Sequence, residues 1–552
     1  MTRWLLFLVL VATAPAQKPP YPNRWVYIRS GLATDAEVER IRGVVRTASE
    51  HGLNGAAFSI GLDSIARQSG AYLERLERVK QICRDYNVEF IPQIFSAGYG
   101  SGVVSYDRNL AEGLPVRDAL FVTRAGEARL ESESPAPLAN GSMENYDGNR
   151  AHGYQLQDNP GEISFIDREI FQEGSVSLRF QDFTRHPAGN ARLMQEIAVI
   201  PYRQYRVVFW ARTEDMPENG MRFQVLNLLG SNLAPWNMKI PGTAAWRQIV
   251  AGFNSGANSR VRVYIGVWGG RSGRFWIDDL RVEEAGLLNL LRRDGAPLVV
   301  RSDESEAVYE EGKDFQFVRD PQLNFRWDHD GPPLRLLPDS RIQDGERLRV
   351  SYYHGMFVMD DQVSVCMSEP RVYDYWRAQA QLVHELLGPA RYLLAMDEIR
   401  LGGSCEACKR RQLSMAQILA ECFTRQFDAI RANNPEAEVW TWSDMLDPNH
   451  NAVANYYLVD GDYGGVWDLI PPEMKIMCWY FGKRSQSLAH FAGLGRKTMA
   501  GAYYDADTLD NSRGWLEALD ATEGAEGIMY TTWEDKYGLM PDFGDLVSQP
   551  RP

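Results

Sequence analysis

The chain has 552 residues, 44% hydrophobic and 24% charged, enough to bury a sizeable core and to build about two to four domains. Its net charge of −14 argues against nucleic acid or an anionic membrane surface as partner and suits neutral or aminated ligands. Six cysteines are too few for a scaffold built on disulfides.

The first residues read as an export signal. Arg3 precedes the apolar stretch Trp4 to Ala12, and Ala14-Pro15-Ala16 has the small-x-small form of a cleavage site. Residues 1–16 are therefore expected to be removed after Ala16, giving a periplasmic or secreted product. The apolar stretch is too short to span a bilayer, and no later one approaches the necessary length.

From 24 to 95, short apolar strands alternate with amphipathic helices. Trp25 to Ile28 is followed by a helix opened by the capping box at Thr34 and Glu37, then the strand Gly55 to Phe58, a helix around Leu73 to Tyr86, and the strand Val88 to Pro92. Between roughly 136 and 286 the pattern is all strand, with Gly, Asn and Pro turns, and predicts an inserted β-sandwich. Trp210, Trp236, Trp246 and Trp268 are its candidate sugar platforms, because an indole ring stacks on the apolar face of a pyranose. The stretch 287–345 reads as an irregular return path with a solvated acidic surface.

After about 370 the alternation resumes. It runs through a helix near Tyr373 to Leu387, a strand ending at Asp397-Glu398, a helix from Ser414 to Ile430, and strands at Glu438 to Trp442, Lys475 to Tyr480, Met499 to Tyr504 and Gly527 to Trp533. Repeated β-α units of this size predict a (β/α)8 TIM barrel in two pieces, 17–135 and 346–552, interrupted by the jelly-roll sandwich. Arg347 to Tyr353 makes a ninth strand candidate, an accessory strand or an extension of the third.

Strand ends are where barrel enzymes keep their chemistry, and five of them carry polar or aromatic groups. Asp397 and Glu398 follow the apolar run Tyr392 to Met396. The structural alternative is that one of these acids caps a helix or pairs with Arg400. Trp442 and Asp444, then Trp479, then Tyr503, Tyr504 and Asp505, then Trp533 and Glu534 end the following strands. Aromatic walls with interspersed carboxylates suit sugar binding: apolar faces to stack on and acceptors for hydroxyls.

Cys405 and Cys408 invite a metal or redox reading. A structural zinc usually needs a second such pair or added histidines, and the sequence nearby supplies neither, so a local disulfide or two packed thiols is expected. There is no nucleophilic Ser or Cys motif, no phosphate loop, and no metal-spaced set among eight histidines. No metal and no cofactor is expected.

The order Asp-Glu, Trp, Trp, Tyr-x-Asp, Trp-Glu resembles the catalytic barrel of glycoside hydrolase family 20, the β-N-acetylhexosaminidases. The ends of the sandwich, Asn140 to Glu144 and Phe275 to Leu280, resemble those of carbohydrate-binding modules of the family 4 and 9 type. The first resemblance implies substrate-assisted retaining hydrolysis of an N-acetylhexosamine-containing glycan. Glu398 would be the general acid/base and Asp397 the residue orienting the acetamido group. Tyr503 or Tyr504 would hydrogen-bond that group, Trp442, Trp479 and Trp533 would wall the pocket, and Arg24 would bind a hydroxyl. The chain departs from the family in two places. Leu394-Ala395-Met396 replaces His-x-Gly-Gly before the acids, and Phe58-Ser59 stands where histidines are usual. A conventional mechanism would call on Glu534 or Asp444 as the second carboxylate. A barrel kept only for sugar capture is the remaining alternative.

Overall fold

The structure is a computed structural model that describes residues 18–133, 138–218, 220–359 and 361–551. The expected signal peptide lies outside the described residues.

Eight parallel strands close into a barrel in chain order: β1 (Asn23–Arg29), β2 (Gly55–Ser59), β3 (Glu89–Ile94), β4 (Arg391–Leu394), β5 (Glu438–Trp442), β6 (Lys475–Cys478), β7 (Thr498–Tyr503) and β8 (Ala525–Thr531). Closure is made by β8 against β1, with Tyr530 opposite Val26. Strand periodicity divides their side chains into two cores. Trp25 and Tyr27, Ala57, Ile91, Leu393, Trp440 and Trp442, Met477, Met499 and Met529 fill the barrel interior. Alternate residues such as Val26, Ile28, Leu394, Val439 and Ile528 face outward under the helices. Bulky interior residues make the barrel a packed plug and leave binding to the open end.

The outer helices are α1 (Asp35–Glu50), α2 (Gly70–Asp85), α3 (Pro370–Leu387), α4 (Met415–Arg431), α5 (Arg484–Gly493), α6 (Asp510–Asp520) and α7 (Met540–Val547). Helix α1 begins at the capping box read from sequence: Thr34 accepts from the Glu37 amide, and Glu37 accepts from the Thr34 amide. Ser414 and Gln417 open α4 in the same way. No helix among the described residues is long and apolar enough to cross a membrane.

The insertion leaves the barrel after β3 and returns before α3. Its sandwich packs one five-stranded antiparallel sheet, with Gln204–Glu214 between Ala244–Asn254 and Arg274–Glu284, against a second in which Arg260–Val267 lies between Arg222–Asn227 and Ala191–Ala198. Strands Leu114–Arg124 and Arg347–His354 pair antiparallel at the centre of a separate six-stranded sheet. The 347 segment is thus an accessory strand and not part of the barrel. Short strands of the 287–345 stretch, at Val299–Ser302, Val308–Tyr309 and Leu334–Arg335, edge that sheet, so the return path is more regular than its sequence suggests. Their alternation is too brief to register as periodicity.

Candidate functional site

Loops after the strands enclose a cavity of about 820 Å³ at the open end of the barrel. That volume suits a small ligand or a sugar unit or two. Of the residues read from sequence, Asp397, Glu398, Trp442, Trp479, Tyr504 and Trp533 all line it. The rings form a continuous wall. Trp479 and Tyr504 stack in parallel, 5.6 Å apart, Tyr504 meets Trp533 edge-on at 6.1 Å, and Trp533 lies 6.2 Å from Trp442. Tyr27 packs edge-on beneath Trp442 and Trp533. Trp442 is almost fully buried, and its indole N–H has no hydrogen-bond partner among the described residues. An unmet donor beside a cavity is a place for a ligand oxygen.

The acids sit on a loop that the rest of the mouth holds in place. The Glu398 amide donates to Asp444 Oδ2 at 2.8 Å, and the Glu398 carbonyl accepts from Gln362 Nε2 at 2.6 Å. At Gly98 a Cβ would stand 2.5 Å from the Asp397 carbonyl oxygen and 3.0 Å from that of Glu398, so only glycine lets the loop after β3 pack here. Glu398 itself has a φ of 49°, and Tyr503, Tyr504 and Asp505 are three successive non-glycine residues at φ 73°, 58° and 59°. Left-handed backbone of this kind costs about 1–3 kcal/mol per residue and gathers where function requires a fixed geometry.

Glu398 is ion-paired. Its Oε1 lies 2.7 Å from Arg400 Nη2, and its Oε2 accepts from the Tyr99 hydroxyl at 2.5 Å. Arg400 is buried and also donates to Gln362 Oε1 at 2.6 Å. The pairing with Arg400 therefore exists, with Glu398 still lining the cavity and Arg400 buried behind it. Asp397 differs. Burial, reinforced by the charges of Asp444 and Glu398, pushes its carboxyl well above the usual carboxylate range. Burial also raises Asp444, although the Glu398 amide, Asn451 and Trp479 all donate to it. Asp397 is thus driven toward its neutral form beside a Glu398 carboxylate that is ion-paired with Arg400.

Five sequence-derived candidates stand elsewhere. Tyr503 turns outward, buried and stacked on Tyr530 at 4.2 Å, which leaves Tyr504 as the tyrosine of the mouth. Asp505 accepts from Thr532 Oγ1 and from the amides of Trp533 and Glu534, tying the β7 and β8 loops together. Glu534 is exposed and paired with Lys536. Asp444 is fully buried behind Glu398 and supports it without lining the cavity. Arg24 lies at the opposite end of the barrel, bonded to the carbonyls of Gly52 and Tyr21, because it begins β1 where the mouth needs a residue that ends it.

Sequence reasoning missed Arg29, Ser59, Asp63, Gln93 and Tyr99, all of which line the cavity. Position alone could have found the first two, since Arg29 ends β1 and Ser59 ends β2. Tyr99 and Asp63 lie on loops with no periodic signal. Cys405 and Cys408 form no disulfide. Their sulfurs are 3.7 Å apart, and Cys366 and Glu112 join them in a buried group behind the mouth.

No family model matches the chain, and no curated protein does. Solved structures similar to it include a rhamnosidase from Novosphingobium sp. PP1Y, 8% identical, covering 97% of this chain and 60% of that one, with a TM-score of 0.34. A CBM4 structure is 14% identical over 27% of this chain and 99% of its own, with a TM-score of 0.21. TmCBM61 in complex with beta-1,4-galactotriose is 16% identical over the same shares, with a TM-score of 0.22. Likenesses this weak carry nothing about substrate or chemistry to this chain.

Proposed function

We propose that this is an exported glycoside hydrolase acting on a glycan that contains an N-acetylhexosamine or a related sugar. The observation that carries the reading is the pair Asp397 and Glu398 lining an aromatic-walled cavity, the first raised by burial and the second ion-paired with Arg400. Cleavage of a glycosidic bond needs a proton for the departing oxygen and negative charge near the anomeric carbon. Asp397 holds the proton. Glu398, fixed by Arg400 and Tyr99, supplies the charge. These roles reverse those that the family 20 resemblance implies.

Aryl and alkyl N-acetylhexosaminides test the roles. A nitrophenolate leaves without protonation, whereas an alkoxide does not. Asp397→Asn should therefore lose about 10²–10⁴-fold on the alkyl glycoside and far less on the nitrophenyl one, while Glu398→Gln should lose both. The opposite pattern would restore the family-type assignment. Equal activity on glycosides lacking the acetamido group would remove the N-acetylhexosamine from the proposal.

A second reading, sugar capture without turnover, is favoured by one observation: Arg400 already occupies an oxygen of Glu398. Saturable binding of the same glycosides by the wild-type chain, with no product over long incubation, would select it.

A further inference from the structure

Glu112, Cys366 and the pair Cys405 and Cys408 come from three separate parts of the sequence, and each of the four is at most 3% exposed. Their donor atoms all fall within 4.8 Å of one another. Cys366 Sγ is 3.3 Å from Cys405 Sγ and 3.8 Å from Cys408 Sγ, and the last two sulfurs are 3.7 Å apart. Glu112 Oε2 is 3.6 Å from both Cys405 Sγ and Cys408 Sγ. A disulfide would bring two sulfurs to about 2.05 Å, and none does so. A tetrahedral zinc ion, with metal–sulfur bonds of about 2.3 Å and a metal–oxygen bond of about 2.0 Å, requires S···S edges of about 3.8 Å and S···O edges of about 3.5 Å. The two S···S edges to Cys408 and the two S···O edges from Glu112 Oε2 already have about that size.

The supporting shell has the features of a ligand set. The second carboxylate oxygen of Glu112 accepts from the amides of Ser404 and Cys405, each at 2.9 Å, which turns Oε2 toward the sulfurs. Arg293 is buried alongside, donates to the carbonyls of Asn109 and Ala111, and keeps Nη1 without a hydrogen-bond partner among the described residues. Its charge acts on Cys366, Cys405 and Glu112. Three thiolates and a carboxylate around a divalent ion would leave an excess of negative charge, and a buried guanidinium offsets part of it.

We infer that Cys366, Cys405, Cys408 and Glu112 bind one structural zinc ion, or a comparably soft divalent ion. Four protein donors fill a tetrahedron and leave no position for water, which makes the site structural and not hydrolytic. Three thiolates select a soft ion over magnesium or calcium. The ion joins three segments. Glu112 stands where the chain leaves the barrel, Cys366 where it returns, and Ala111 pairs with Val365 beside them. Cys405 and Cys408 lie on the loop that carries Asp397, Glu398 and Arg400. Gln362, which bonds both Glu398 and Arg400, is four residues from Cys366. The metal thus fixes the insertion to the barrel and holds the loop of the acids.

The test uses the full chain, purified without metal-affinity resin. Elemental analysis should find about one zinc per chain, retained through dialysis. Exchange into cobalt should produce a thiolate-to-cobalt charge-transfer band in the near ultraviolet. A strong chelator should release the zinc and lower the Tm. Glu112→Gln should weaken zinc binding at least ~10-fold, while Cys478→Ser, which alters a buried cysteine outside the cluster, should leave metal content unchanged. A metal-free chain whose cluster thiols all react with a thiol reagent once unfolded would overturn the inference. So would an intact mass lighter by two hydrogens that maps to a disulfide among these cysteines.

Discussion

The two ends of the barrel carry similar charged residues and use them in opposite ways. At the closed end the charges neutralise one another. Arg391 bonds Glu89 and reaches Glu438 at 3.1 Å, and Lys475 lies between Glu438 at 2.9 Å and Glu526 at 2.8 Å. At the open end Asp397, Glu398 and Asp444 crowd together, and a single ion pair, Arg400 with Glu398, forms among them. What marks a reactive site is the acid left without a partner beside an empty volume, since a fold optimised for stability would have paired it. Conserving the barrel and making use of it fall to opposite ends of the same strands.

Removing Asp397 tests that contrast most strongly. Asp397→Asn should cost about 10³-fold in kcat/KM on alkyl glycosides, measured by initial rates. It should not cost stability. Because the folded-state pKa of Asp397 is raised, the native chain holds a proton that the unfolded chain has released once pH exceeds the ordinary carboxylate range. Stability from this group is complete below that range and is lost as pH rises through the raised value. Asparagine has no proton to lose, so melting curves should show the variant equal to wild type in acid and more stable in alkali. The wild-type rate on alkyl glycosides should fall as pH rises through that raised folded-state value. A variant less stable at every pH would mean that Asp397 is part of the scaffold and that the two ends do not differ.

The reciprocal change is at the closed end. Lys475→Met leaves Glu438 and Glu526 facing each other, half-buried, and should destabilise by about 1–3 kcal/mol in denaturant melts. The kcat of the molecules that remain folded should be unchanged. Loss of kcat without loss of stability would show that the closed end reaches the chemistry.

Much of this contrast was legible in the sequence, and the remainder was hidden for physical reasons. The short apolar run Trp25 to Ile28 and the capping box before α1 mark barrel units, because burial and helix initiation depend on nearest neighbours along the chain. Asp397, Glu398, Trp442, Trp479, Tyr504 and Trp533 reach the cavity because each ends or follows a strand. Asp505 shares that position, yet its carboxylate is consumed by loop amides, a competition that sequence does not display. Glu112 and Cys366 meet only after the whole insertion has folded between them, so the Cys405 and Cys408 pair reads from sequence as an incomplete set.

The smallest effects come from two arginines on one strand. Arg24 and Arg29 bracket β1 and stand about 17 Å apart along it. Arg29 lines the cavity, donates to the Trp533 carbonyl at 2.9 Å and lies over the Trp533 ring at 5.7 Å from its centroid. Arg29→Ala frees that ring to turn and should raise KM several-fold with little change in kcat, as expected when binding common to ground and transition states is removed. Arg24→Ala loses only hydrogen bonds to two carbonyls and should cost about 1 kcal/mol of stability, with KM unchanged. The two residues have the same chemistry and share a strand, and they differ in the end of the barrel they occupy and, being an odd number of residues apart, in the face they project from. A KM that moved with Arg24 and not with Arg29 would place the binding site at the wrong end of the barrel, and the functional reading would fall with it.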